Sequence, residues 1–155
     1  MNGLRVWTGP DKRGLYSKIN SQSKNSYMAT DDHGTIIIVD DKADNLQVLG
    51  EFLKQAGFKV RPALSGELAL KAVKASLPDL ILLDIRMPGM DGFEVCRALK
   101  ADPYSRDIPV IFISAMQDFE NRTAAFAAGG VDYVCKPFFE EEVLARTRTH
   151  LHLYR

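Results

Sequence analysis

The sequence predicts an α/β domain in which five strands form one parallel sheet covered by helices on both faces. Two observations carry that expectation. Short apolar runs rich in valine and isoleucine alternate with longer segments whose apolar residues recur at helical spacing. The first and third of these runs, 36–39 and 80–83, are apolar at consecutive positions, as in strands buried on both sides. Parallel neighbours also need a crossover, which an intervening helix supplies.

Thr35-Ile36-Ile37-Ile38-Val39-Asp40 opens the pattern as a β-branched strand. Asp44 to Ala56 carries Leu46, Leu49, Phe52 and Leu53 at helical spacing, and Gly57 is a natural stop. Phe58 to Pro62 reads as the second strand. Ser65 can cap a helix running to about Ser76, with Leu68, Ala69, Ala72 and Val73 on one face. Leu80-Ile81-Leu82-Leu83-Asp84 is the third strand; beyond a loop containing Pro88-Gly89, a helix runs through Val95, Ala98 and Leu99. Pro109-Val110-Ile111-Phe112-Ile113-Ser114 is the fourth strand, and Asp118 to Ala128 an alanine-rich helix ended by Gly129-Gly130. Val131-Asp132-Tyr133-Val134-Cys135 is the fifth strand, and Glu140 to His152 a final amphipathic helix.

Residues 1–34 stand apart. Ser17 to Ser26 is polar without an apolar period, so this segment is expected to be a flexible extension preceding a domain over residues 35–155. Arg5, Lys12, Arg13, Lys18 and Lys24 outnumber Asp11, Asp31 and Asp32, and the mild excess reads as a solvated tail. Trp7 is the one residue there that a packed segment would want, and Met28 is a candidate natural start. Across the chain, 20 Lys and Arg balance 20 Asp and Glu, which argues against nucleic acid or a membrane surface as a bulk electrostatic partner. No apolar run approaches the ~20 residues that span a bilayer. Nor does an apolar stretch follow the basic N-terminus as in a secretory signal. Cys96 and Cys135 form no CxxC and read as reduced structural thiols of a cytoplasmic protein. His33, His150 and His152 fit neither a triad nor a metal site, and the last two read as surface residues.

Ligands of such sheets gather at the carboxyl ends of the strands, near the point where strand order reverses. Asp40-Asp41 follows the first strand and Asp84 ends the third; a flavodoxin-like order would set these two ends side by side. Converging carboxylates repel, and a hard divalent cation such as magnesium relieves the repulsion with few protein ligands. The bland alternative is that Asp40 and Asp41 cap the following helix. Lys136 follows the fifth strand, where its charge can balance the acids and pair with a phosphoryl oxygen. The Lys136-Pro137 bond is a candidate cis peptide. Ser114 ends the fourth strand with a hydroxyl able to donate to the same group. A carboxylate nucleophile, a magnesium site, a lysine and a hydroxyl together compose a phosphoryl-transfer site.

These residues resemble the receiver domains of bacterial two-component response regulators. The resemblance runs from about Thr35 to the C-terminus. It rests on Ile36-Ile37-Ile38-Val39-Asp40-Asp41, on Asp84-Ile85-Arg86-Met87-Pro88-Gly89-Met90-Asp91-Gly92, on Ser114-Ala115 and on Lys136-Pro137-Phe138. Each landmark is weak alone; their order and spacing are specific. The resemblance implies a doubly wound sheet of order 2-1-3-4-5 and a phosphoaspartate at Asp84, made from the phosphohistidine of a sensor histidine kinase. Asp41, Asp84 and the Arg86 backbone carbonyl would hold Mg2+ directly, with Asp40 acting mainly through bound water. Ser114 and Lys136 would contact the phosphoryl oxygens, and Tyr133 would be an aromatic switch that packs inward as Ser114 moves. Taken alone, Tyr133 is equally a plain strand aromatic. Such a domain is a regulatory phosphoacceptor and not an enzyme acting on other molecules.

Some positions depart from the family's commonest form. Ser114 is often threonine, and the hydroxyl survives. Gly130 stands where alanine is usual and is expected to loosen the loop. Arg86 and Met116 lie two residues beyond the acceptor and the hydroxyl; a thioether orients water poorly, so slow dephosphorylation is expected. A haloacid dehalogenase would want Asp-x-Asp after the first strand, where Asp40-Asp41-Lys42 stands. A flavodoxin proper would want a hydroxyl- and glycine-rich loop in place of Lys42-Ala43-Asp44-Asn45. The remaining alternative is a pseudo-receiver that acts as a protein-binding scaffold without taking phosphate. The chain ends where the last helix would finish, so the output is either a docked protein partner, a homodimer or an output domain outside this sequence. The basic residues Arg146, Arg148 and Arg155 near that end read as a solvated face. Kinase choice would lie in side chains around Asn45 to Gly50.

Overall fold

The computed structural model describes residues 34–115 and 119–154. Their elements follow one another as β1 (Thr35–Val39), α1 (Ala43–Gln55), β2 (Lys59–Ala63), α2 (Gly66–Ala75) and β3 (Leu80–Leu83), then α3 (Gly92–Ala101), β4 (Val110–Ser114), α4 (Phe119–Ala127), β5 (Asp132–Cys135) and α5 (Glu140–Tyr154). All four strand pairings are parallel, and the sheet order is β2-β1-β3-β4-β5, as the resemblance implied.

Consecutive strand residues serve two cores, which explains why the runs are apolar without alternation. Ile37, Val39, Ile81, Leu83, Val110, Phe112 and Tyr133 join Ala69, Val73, Val95, Leu99 and Ala125 of α2, α3 and α4. Ile36, Ile38, Leu80, Leu82, Ile111, Ile113 and Val134 join Leu46, Leu49, Phe52, Leu53, Val143 and Leu151 of α1 and α5.

Local chemistry sets the helix ends. The Ser65 hydroxyl accepts from the Leu68 N–H at 3.1 Å at the start of α2. Asp91 and Glu94 form a reciprocal capping box on α3, both bonds at 2.9 Å. The expected buried face of α2 needs one correction. Ala69 and Val73 are buried, but Leu68 is 48% exposed, because the line facing α3 runs through Gly66, Ala69 and Val73 and leaves Leu68 on the flank. His150 is also corrected. It is not a surface residue: its ring is mostly buried, with Nε2 3.0 Å from Asp132 Oδ2. Arg146 is likewise engaged, donating to both Asp132 oxygens at 2.7 and 2.9 Å, whereas Arg148 is exposed. α5 therefore faces β5 with charge as well as with Val143 and Leu151.

On the outer border of the sheet, Lys59 donates to Gly34 and Ala63 accepts from Asp40, so alternate β2 residues turn their backbone inward to β1. Val60 and Pro62 turn theirs outward, and Pro62 has no N–H to offer. The cysteines are free thiols, and burial pushes Cys96 up to about 11, as suits a structural residue. Among the described residues no helix is long and apolar enough to cross a membrane. The readings of Trp7, Met28, Met116 and the extension before residue 34 fall outside the described residues.

Candidate functional site

The sheet order makes β1 and β3 neighbours, with Val39 and Leu83 as register partners, so the residues just beyond both strands emerge at one end of the sheet. Backbone hydrogen bonds carry the ladder one residue further: Asp84 N–H donates to Val39 O at 3.0 Å and Asp40 N–H to Ala63 O at 3.2 Å. The side chains of Asp40, Asp41 and Asp84 consequently converge, one oxygen from each lying within 4.8 Å of the others. Asp40 and Asp84 are buried, at 2% and 8% exposure, and Asp41 is half-buried.

Each carboxylate has a distinct set of partners. Asp40 Oδ1 accepts from the Lys42 N–H at 2.9 Å; its Oδ2 accepts from Asn45 Nδ2 at 3.0 Å and Lys136 Nζ at 2.9 Å. Asp40 is thus no cap for α1, whose N-cap position is held by Lys42 without a side-chain bond. Asp84 Oδ1 accepts from the Ile85 N–H at 2.8 Å, while Oδ2 faces Lys136 Nζ at 3.6 Å. Burial pushes the Asp84 carboxyl above its usual range; Lys136 and the Ile85 N–H pull it back, and Asp40 and Asp41 add to the rise.

Lys136 reaches this cluster from the far side of the sheet. Its N–H donates to Ser114 O at 2.8 Å, and its bond to Pro137 is cis, as the sequence suggested. Ser114 ends β4, the strand beside β3, and is 1% exposed. Arg86 lies exposed in the loop after Asp84. Tyr133 points inward from β5 at 2% exposure, with the Arg122 guanidinium carbon 4.9 Å from its ring centroid.

Sequence reasoning gave Gly92 no role of its own and placed Asn45 only in the stretch that would set kinase choice. Gly92 opens α3 against the backbone of Asp84, and a Cβ there would lie 2.2 Å from Asp84 O. Its signal was a poor helix former placed directly after an aspartate N-cap. Asn45 touches Asp40 because the first turn of α1 folds back over the strand end, which no linear spacing announces.

Three carboxylates facing one lysine leave the cluster formally doubly negative. All of its donors are hard oxygens. An ion with metal–oxygen bonds of roughly 2.0–2.1 Å holds its ligands at most about 4 Å apart, close to the spacing seen, so the residues fit magnesium. A carboxylate oxygen can act as a nucleophile, and Asp84 Oδ2 is the one that lies beside the lysine.

A family model, the response regulator receiver domain, matches residues 36–148. The response regulator PleD of Caulobacter vibrioides is 41% identical over 114 residues, a match covering 74% of this chain and 25% of PleD. The DNA-binding response regulator MtrA of Mycobacterium leprae is 38% identical over 116 residues, covering 75% of this chain and 50% of MtrA. The chain thus spans a quarter to a half of the length of these curated relatives. Among solved structures, the signal receiver domain of a signal transduction histidine kinase from Syntrophus aciditrophicus superposes with a TM-score of 0.74 at 30% identity. That match covers 79% of this chain and 92% of the other.

Proposed function

The chain belongs to the response regulator receiver domain family, and on that premise we propose that it is a phosphorylation switch with Asp84 as acceptor. The observation that supports this best is Lys136 Nζ poised between two buried carboxylates, 2.9 Å from Asp40 and 3.6 Å from Asp84. In the proposed reaction Asp84 Oδ2 attacks the phosphorus of a sensor kinase's phosphohistidine. A P–O bond forms, the P–N bond breaks, and the imidazole leaves with the electron pair and takes up a proton. Asp41, Asp84 and the Arg86 carbonyl would hold magnesium, and Asp40 would act through water; the ion supplies positive charge that offsets the acids and the phosphoryl oxygens.

Lys136 then shifts its ammonium from the carboxylates to a phosphoryl oxygen, and the Ser114 hydroxyl donates to another. Drawing Ser114 toward the phosphate changes the space beside β4 that an inward Tyr133 fills, so the α4–β5–α5 surface changes with it. That surface is the proposed contact for a protein partner, an output domain or a second copy. The work would be done in the cytoplasm, without direct nucleic-acid binding by these residues.

Incubation with magnesium and acetyl phosphate, read by intact mass, tests the proposal. The wild type is expected to gain one phosphate, only with magnesium, and Asp84→Asn none. A wild type that takes neither phosphate nor beryllofluoride overturns the switch and leaves a scaffold that binds partners without phosphate.

A further inference from the structure

We propose that Asn45 is a positioning residue whose amide shares Asp40 Oδ2 with Lys136 and keeps that oxygen bonded when the lysine moves to the phosphoryl group. The inference rests on the proposed function and adds a residue to it. Asp40 is only 2% exposed and accepts from three donors. The Lys42 N–H belongs to the same loop and is fixed to Oδ1. On Oδ2 the two donors differ in kind. Lys136 has a long stem, a side chain 22% exposed and a second carboxylate 3.6 Å away, so it has somewhere to go. Asn45 has a short stem on the first turn of α1, where its N–H is tied to Lys42 O at 3.1 Å.

Without Asn45, departure of the lysine would strip Oδ2 of its last protein donor on a carboxylate that is only 2% exposed. A buried carboxylate left in that way is costly, and hydrogen bonds to charged groups are among the stronger ones. Asn45 is suited to the task by being neutral. An acid there would add repulsion to the cluster, and a lysine or arginine would compete with the divalent cation. The contribution of Asn45 is therefore greatest in the phosphorylated state, when Lys136 has left, and smaller when only magnesium binds.

Calorimetric titrations of Mg2+, and of beryllofluoride at saturating Mg2+, test this on the wild type, Asn45→Ala and the nearly isosteric Asn45→Leu. Both variants are expected to bind beryllofluoride about tenfold more weakly, the loss of one charge-assisted bond, while Mg2+ affinity changes by less than about threefold. Beryllofluoride affinity within twofold of wild type in the Ala variant overturns the inference, as does an equal loss for both ligands. A fall in thermal midpoint with neither affinity altered assigns Asn45 to α1 stability alone and also overturns it. A wild type that binds no beryllofluoride refutes the proposed function itself, an outcome visible before any substitution is made.

Discussion

A Cβ added at Gly130 would come within 2.6 Å of Phe112 Cε2 and 3.1 Å of the Ala125 carbonyl. Phe112 is fully buried in the middle of β4, opposite Tyr133 in register and 5.7 Å from the Phe93 ring, so it has little room to yield. The glycine that the sequence suggested would loosen its loop instead lets the chain pass closely over an aromatic ring. Gly130→Ala is expected to cost about 1–3 kcal/mol in urea denaturation, in the range of other overpacked sites; unchanged or greater stability would show that the ring relocates freely. At this scale the sequence was legible where chemistry coincides with a strand end. Asp40, Asp41, Asp84 and Lys136 could be placed because a buried strand stops beside each. Gly130 could not, since its reason lies in a ring eighteen positions away in sequence. Asn45 could be read only as part of the stretch that would set kinase choice, because its bond to Asp40 exists only once the first turn folds over the strand end.

Helix α5 shows the same divide between pattern and partner. Its start at Glu140 and its amphipathic pattern were legible, but not which charged group it would meet. The answer is Asp132, which accepts from Arg146 at 2.7 and 2.9 Å, meets His150 at 3.0 Å and accepts the Tyr133 N–H at 2.8 Å. Burial alone would raise this carboxyl, but the bonds from Arg146, His150 and Tyr133 outweigh it and hold it below its ordinary value of 3.8. A depressed folded pKa stabilises fully above the unfolded value and loses that contribution as pH falls through the folded one. Asp132→Asn is therefore expected to be less stable than wild type at neutral pH, and the gap should narrow as pH drops below about 4. Urea midpoints across that range check it, and a gap independent of pH would rule the linkage out.

The sheet is the common wall of both cores, so each core depends on the same strands. Ile81 and Leu82 are adjacent and buried, yet one faces α2, α3 and α4 while the other faces α1 and α5. Ile81→Ala and Leu82→Ala are each expected to cost about 2–5 kcal/mol. Both should lower one shared calorimetric transition, and a second transition in either variant would mean that the cores unfold separately. The number and kind of elements were readable because burial on two faces writes itself into the central runs, 36–39, 80–83 and 110–113. Strand order was not readable from periodicity, since it depends on which runs pair, and it came only with the family landmarks. One border of that sheet has a consequence beyond this domain's own stability. A bare strand invites another chain to add to it and can seed fibrils. Between the outward-facing Val60 and Pro62, only Val60 carries an N–H, so an incoming strand would find half of its expected donors missing. Crowded molecules are thereby discouraged from polymerising along this side, and aggregation by sheet extension meets a built-in stop there.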